Sequence, residues 1–179
     1  MRIIECIQRY NPSFNAVAGD RVEIDETYFR DSYKGYRKGT RPRPARKSGK
    51  KAMKRGLSKQ QVCVVTGIDD TGVSFLVVSG RGILDKERAY QVLNGRIGKG
   101  ALVVTDKAGA YPAVLDRLGA TLERTDATEH AINRINSLSL HARHQGLHAW
   151  VQGRVSTKHL QSHLAWFQWT EAFKSGPTE

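Results

Sequence analysis

Apolar and polar positions change period several times along the chain, and each change marks an element. Val22–Phe29 (VEIDETYF) is rich in β-branched and aromatic residues and reads as a strand. Gln61–Asp69 and Gly72–Gly80 are two further β-rich runs, and the tight polar turn Asp70-Thr71-Gly72 between them predicts an antiparallel hairpin. Over Asp85–Ile97 the period becomes helical: Ala89, Leu93 and Ile97 recur at i, i+4 and i+8, with Asp85 placed to cap the start. Ala101–Asp106 is a short, continuously apolar strand, which predicts a central position buried on both faces. Tyr111–Leu118 reads as a helix opened near Pro112 and stopped by Gly119, and Ala120–Thr125 as a strand. From Glu129 the chain is helical, with Ile132, Ile135 and Leu138 on one face. A last helix over Lys158–Phe167 runs through Leu160, Leu164 and Phe167. Before the first strand, IIECIQRY suggests a short helix and the following NPS a turn.

Strand, hairpin, helix, strand, helix, strand, helix, helix gives an α/β chain: a mixed five-stranded sheet flanked by helices, in the order of an RNase H-like fold. The order is interrupted once. Residues 30–60 hold Gly, Pro, Lys and Arg and almost no large aliphatic residue, so they cannot bury enough to order themselves and read as a long flexible loop after the first strand. The expected organisation is a residual N-terminal segment over 1–20, one domain over 21–169 carrying the basic insertion, and a tail over 170–179.

Charge sharpens this picture. The 179 residues include 29 Lys+Arg and 17 Asp+Glu, a net charge of +12. Thirteen of the basic residues lie between Arg30 and Lys59, where Asp31 is the one acid, and the remainder of the chain is electrically neutral. Arg37, Lys38, Arg41, Arg43, Arg46, Lys47, Lys50, Lys51, Lys54 and Arg55, with Arg143 from the later helix, are therefore the candidate contacts to nucleic-acid phosphates. No apolar run approaches the ~18 residues of a membrane span, and the N-terminus lacks a secretory pattern. Cys6 and Cys63 have no finger spacing and read as reduced thiols, Cys63 within a strand. These features place the chain in the cytoplasm.

Candidate chemistry lies in two carboxylates. Period 2 puts Glu23 and Asp25 on one face of the first strand, and an acid in the middle of a strand is costly unless solvated, paired or metal-bound. Asp106 ends the apolar strand, where ligands of sheet proteins collect. On neighbouring strands the two acids can hold Mg2+ or Mn2+ between oxygen ligands. Either acid alone is as well explained by solvation or a turn. Five histidines, His141, His144, His148, His159 and His163, lack an HExxH pattern, so zinc is disfavoured and phosphate contacts are the milder reading.

VEIDETYF and VVTDKAGAY resemble the first and second catalytic motifs of bacterial insertion-sequence transposases. INRINSLSLHARHQ followed by VSTKHLQSHLAWFQW resembles the C-terminal part of those with an ISXO2-like transposase domain, over about Gly19 to Trp169. The resemblance implies a DDNK variant of the DDE set on Asp25, Asp106, Asn136 and Lys158; Glu129, acidic and at a helix start, is a rival third ligand, though its offset of 23 from Asp106 suits the family less well. It also implies a two-metal Mg2+ (or Mn2+) site bound by Asp25, Asp106 and Asn136, and DNA cleavage followed by 3′-hydroxyl strand transfer. Transposon ends and target DNA would be the partners, a homodimer the working form, and the bacterial nucleoid the place of action. Lys158 would bind the scissile or leaving phosphate. The chain departs from the family in two ways. Few residues precede the first motif and no cysteine cluster is among them, which reads as an isolated catalytic domain or a truncated copy, active or decayed. An apparent two-residue insertion after Asn136 turns the following residues by about 200° on the helix. An RNase H-like nuclease without strand transfer and a non-catalytic nucleic-acid-binding protein are the alternative readings.

Overall fold

The computed structural model describes residues 7, 13–37, 39–41, 60–105, 109–124, 134–151 and 155–174. The predicted N-terminal helix (apart from Ile7), Cys6, Lys38, Asp106, Glu129 and the basic residues from Arg43 to Arg55 lie outside the described residues, as does the side chain of Asn136.

Five strands, β1 (Arg21–Arg30), β2 (Gln61–Asp69), β3 (Ser74–Arg81), β4 (Leu102–Thr105) and β5 (Thr121–Arg124), form one sheet in the order β3-β2-β1-β4-β5. Strands β1, β2 and β3 are antiparallel neighbours, whereas β4 runs parallel to both β1 and β5. This is the mixed, RNase H-like sheet that the element order predicts.

The hairpin loop is longer than its sequence suggests. Asp69 Oδ1 accepts from the backbone N–H groups of Thr71 and Val73, and this side-chain turn holds residues 70–72 out of the ladder; the Val73 carbonyl accepts from the Asp69 N–H at 3.0 Å, and β3 starts at Ser74. Helix α1 (Lys86–Leu93) has Asp85 as its N-cap, accepting from the Arg88 N–H at 2.9 Å. It stops four residues before Ile97. Asn94 leaves the helical conformation, Gly95 has φ +77°, and Ile97 instead forms a parallel bridge with Ala16. Ile97 is buried, so its apolar spacing reflects the core and not a longer helix. Helix α2 (Tyr111–Leu118) has the predicted bounds, with Pro112 in its first turn and Gly119 closing it at φ +70°. Helix α3 (Arg134–Val151) buries Leu140, Leu147 and Val151. A single 3-10 turn (Thr157–His159) leads into α4 (Leu160–Lys174), which continues past the expected domain end at 169.

The sheet is covered on both faces. Val22, Ile24, Cys63, Val65 and Phe75 pack with Leu93, Val114 and Leu115 of α1 and α2. Phe29, Val62, Val64 and Leu76 pack with Leu147, Leu164 and Phe167 of α3 and α4. Burial pushes the Cys63 thiol up, in keeping with a reduced core cysteine. Among the described residues no helix is long and apolar enough to cross a membrane.

Candidate active site

Strand β1 is the central strand, and its alternation puts Glu23, Asp25, Thr27 and Phe29 on the face that meets α3. Asp25 lies opposite Thr66 of β2. Its side chain is 41% exposed, although the strand around it is largely buried. Oδ1 accepts from the Glu26 N–H at 2.7 Å, and the Asp25 carbonyl accepts from the Thr66 hydroxyl at 3.0 Å. On the far side of the sheet the Tyr111 phenol is fully buried, which raises its pKa well above the ordinary value, and the charges of Glu26 and Asp25 raise it further.

Helix α3 meets this face through two histidines. His144 Nε2 is 2.6 Å from Thr66 Oγ1, and His144 Nδ1 is 3.6 Å from Asp25 Oδ2. His148 Nε2 is 2.7 Å from Thr27 Oγ1, and its ring lies on Phe29 with centroids 4.6 Å apart. The match is geometric. Four residues of helix rise ~6 Å and two residues of strand ~6.7 Å, so a His pair at i, i+4 stands over positions i, i+2 of the strand beneath.

Of the four residues implied by the resemblance, the structure describes the side chains of Asp25 and Lys158. Ile24 pairs with Thr105, the last residue of β4, which immediately precedes Asp106 in the sequence. Asn136 belongs to the first turn of α3, eight residues from His144, or about 12 Å along the helix. Among the side chains of α3 that the structure describes, His144 stands opposite Asp25. Lys158 lies on the 3-10 turn. The 3-10 turn that carries it is fixed at the far end of β1: Thr157 N–H donates to the Ser32 carbonyl, and Thr157 Oγ1 donates to Asp31 at 2.8 Å. Six residues of strand separate Asp31 from Asp25, about 20 Å. The Lys158 ammonium is exposed and stands 5.0 Å from the Tyr36 ring centroid, next in the chain to the exposed Arg37. Arg41 is exposed as well. Arg143 donates to Ser74 Oγ and to the Gly72 carbonyl, both at 2.9 Å, and so ties α3 to the β2–β3 hairpin. His159 is exposed, and His163 lies against Trp166.

Two residues escape sequence reasoning, His144 as the neighbour of Asp25 and Thr66 as the hydroxyl that joins them. The i, i+4 spacing of His144 and His148 is the one signal that could have found the first. Among the described residues no group of three or more His, Cys, Asp or Glu is placed to hold a metal ion. What is present fits a divalent cation in part: a half-exposed carboxylate is a hard oxygen donor, and an imidazole nitrogen stands beside it.

Compared with known families, the chain matches the ISXO2-like transposase domain over residues 17–172. Comparison with curated proteins gives no match. Among solved structures it is similar to a chain of the simian T-cell lymphotropic virus intasome in complex with PP2A regulatory subunit B56 gamma, at 14% identity and a TM-score of 0.46 over 87% of this chain and 50% of that one. It is also similar to a chain of a pre-cleavage Mos1 transpososome, at 10% identity and a TM-score of 0.37 over 99% of this chain and 60% of that one. The chain thus spans half to three-fifths of the length of these two chains.

Proposed function

The chain belongs to the ISXO2-like transposase domain family, and on that premise we propose that it cuts and joins DNA by metal-dependent phosphoryl transfer at the surface carrying Asp25. The observation that carries this reading is the half-exposed Asp25 carboxylate on the central strand, held by the Glu26 N–H in a sheet face that is otherwise packed. Asp25 and Asp106 are the proposed metal-holding pair. Bound Mg2+ or Mn2+ would supply Lewis acidity for the attacking hydroxyl and the leaving oxygen. Glu26 N–H fixes the Asp25 carboxylate, and the packed strands around it keep its orientation. Lys158, on the turn docked at Asp31 and Ser32, is proposed to grip the DNA backbone with Arg37 and Arg41. The partners are transposon-end and target DNA at the bacterial nucleoid, engaged by a homodimer.

Incubation of the full chain with DNA bearing candidate ends and Mg2+ or Mn2+ is expected to give nicks with free 3′-hydroxyl ends that are then joined to target DNA. Chelation should stop both steps. Cleavage without joining would identify a nuclease, and binding without cleavage in either metal would leave only a nucleic-acid-binding protein.

The basic segment should govern the salt dependence of binding. Deleting residues 42–58 removes seven cations, and the slope of log affinity against log salt is expected to become shallower by up to about six. A slope that does not change would exclude the segment from the DNA interface.

A further inference from the structure

We propose that Tyr36 is a stacking platform for an unpaired base of the DNA strand gripped by Lys158, Arg37 and Arg41. This assignment rests on the reading of those cations as contacts to the DNA backbone. It adds the form of the strand they take, single and with its bases open.

The ring stands among cations. Tyr33 and Tyr36 meet edge to face, with centroids 5.4 Å apart and an interplanar angle of 89°. The Lys158 ammonium is 5.0 Å from the Tyr36 centroid, and the Arg81 guanidinium carbon is 5.8 Å from that of Tyr33. Arg37 follows Tyr36 directly and is exposed, as is Arg41. The Arg37 carbonyl accepts from the N–H and the hydroxyl of Thr40, at 3.1 and 3.0 Å, so a closed turn joins these two cations. Among the described residues, the two apolar clusters on the sheet are built without either tyrosine, and Tyr36 keeps part of its surface in water. Core packing therefore does not account for an aromatic side chain at this place.

Single strands are held without regard to sequence by this combination, cations along the backbone and aromatic rings against which bases stack. Every base has a π-face, but in a duplex those faces are covered by neighbouring pairs and only the base edges reach the grooves. A ring beside the cations thus adds affinity for a strand whose bases are open and none for a paired one. The exposed Lys158 side chain has a flexible four-carbon stem, so its ammonium can leave the ring for a phosphate while a base takes the face. The platform is held before DNA arrives. The Ser32 N–H donates to Thr157 Oγ1 at 2.8 Å and the Ser32 carbonyl accepts from the Thr157 N–H at 2.9 Å, which ties the tyrosine segment to the turn that carries Lys158. Gly35, at φ +72°, turns the chain between the two rings. Little ordering is left for binding to impose.

The test is binding of labelled oligonucleotides to the full chain in EDTA, where no metal-dependent step can run. An oligothymidylate strand is expected to bind at least about fivefold tighter than an abasic strand of the same length and charge. Tyr36→Ala should abolish that difference while keeping the affinity for blunt duplex and the slope of affinity against salt, since no cation is lost. Tyr36→Phe should retain the preference. Strands carrying iododeoxyuridine should crosslink to Tyr36 under ultraviolet light, a check that needs no substitution. Equal binding of thymidylate and abasic strands by the wild type, a preference that survives Tyr36→Ala, an equal loss on duplex and single strand in that variant, or a crosslink that avoids Tyr36 would overturn the platform and leave the backbone grip standing. An oligouridylate strand held more than about tenfold tighter than oligothymidylate would overturn the assignment to DNA. Failure to bind any of these DNAs would overturn both readings.

Discussion

Asp25→Asn is expected to lower metal-dependent DNA cleavage by about a thousandfold while leaving fold and DNA affinity intact. Asparagine has the shape of aspartate, and its amide oxygen can still accept from the Glu26 N–H. The Thr66 hydroxyl donates to the Asp25 backbone carbonyl, which the substitution does not touch. The strand and its register with β2 should therefore survive. What disappears is the negative charge beside His144, and with it the hard anionic donor on which a divalent ion depends. On the proposed reading affinity for DNA resides elsewhere, in the cations of the basic segment, so binding and chemistry should separate. The measurement is cleavage rate with Mg2+ and Mn2+ beside an equilibrium binding assay. A variant that cleaves within tenfold of the wild type would show that Asp25 takes no part in the reaction.

The largest effect on stability is expected at Leu164. Its side chain is fully buried in α4, within the cluster that joins Phe29, Val62 and Val64 of the sheet to Leu147 of α3. Leu164→Ala should cost ~2–5 kcal/mol, since the transfer energy of the lost atoms adds to that of a cavity between rigid neighbours. Against a typical total of ~5–15 kcal/mol this is a large fraction. Urea unfolding should show a lower midpoint with little change in slope. A loss below about 1 kcal/mol would mean that α4 is not cooperative with the sheet. Because α4 continues from the turn that holds Lys158, the same variant should also weaken the docking of that turn on Asp31 and Ser32.

The elements most legible in the sequence are those governed by local chemistry. β2 over Gln61–Asp69 and α2 over Tyr111–Leu118 have the predicted bounds, since a β-branched run, an early proline and a closing glycine act within a few residues. Departures occur where another segment intervenes. Ile97 keeps helical spacing but leaves α1 to pair with Ala16, some eighty residues earlier. The Asp69 side chain takes over the hairpin loop, a use of the carboxylate that no apolar pattern encodes. The central place of Asp25 follows from strand order and is legible. Its neighbour on α3 is not, because the face that a helix turns to a sheet is set by packing across more than a hundred residues. Lys158 shows the same limit: its position depends on bonds from Thr157 to Asp31 and Ser32, far away in sequence.

Asp31, the lone acid amid thirteen cations, is buried and answers Arg81 at 3.1 Å and Thr157 at 2.8 Å. Its N–H also donates to the Gln60 carbonyl at 3.0 Å, one rung beyond the last β1–β2 pair, Arg30 with Gln61. The two ends of the cation-rich segment thus meet in a clasp that belongs to the sheet. Doubling the chain between them would cost only about 0.6 kcal/mol in closure entropy and would leave the register of Asp25 untouched. The proposed grip on DNA can therefore be lengthened, shortened or exchanged over generations, like a bit in a chuck, while the strand proposed to carry the chemistry stays as it is.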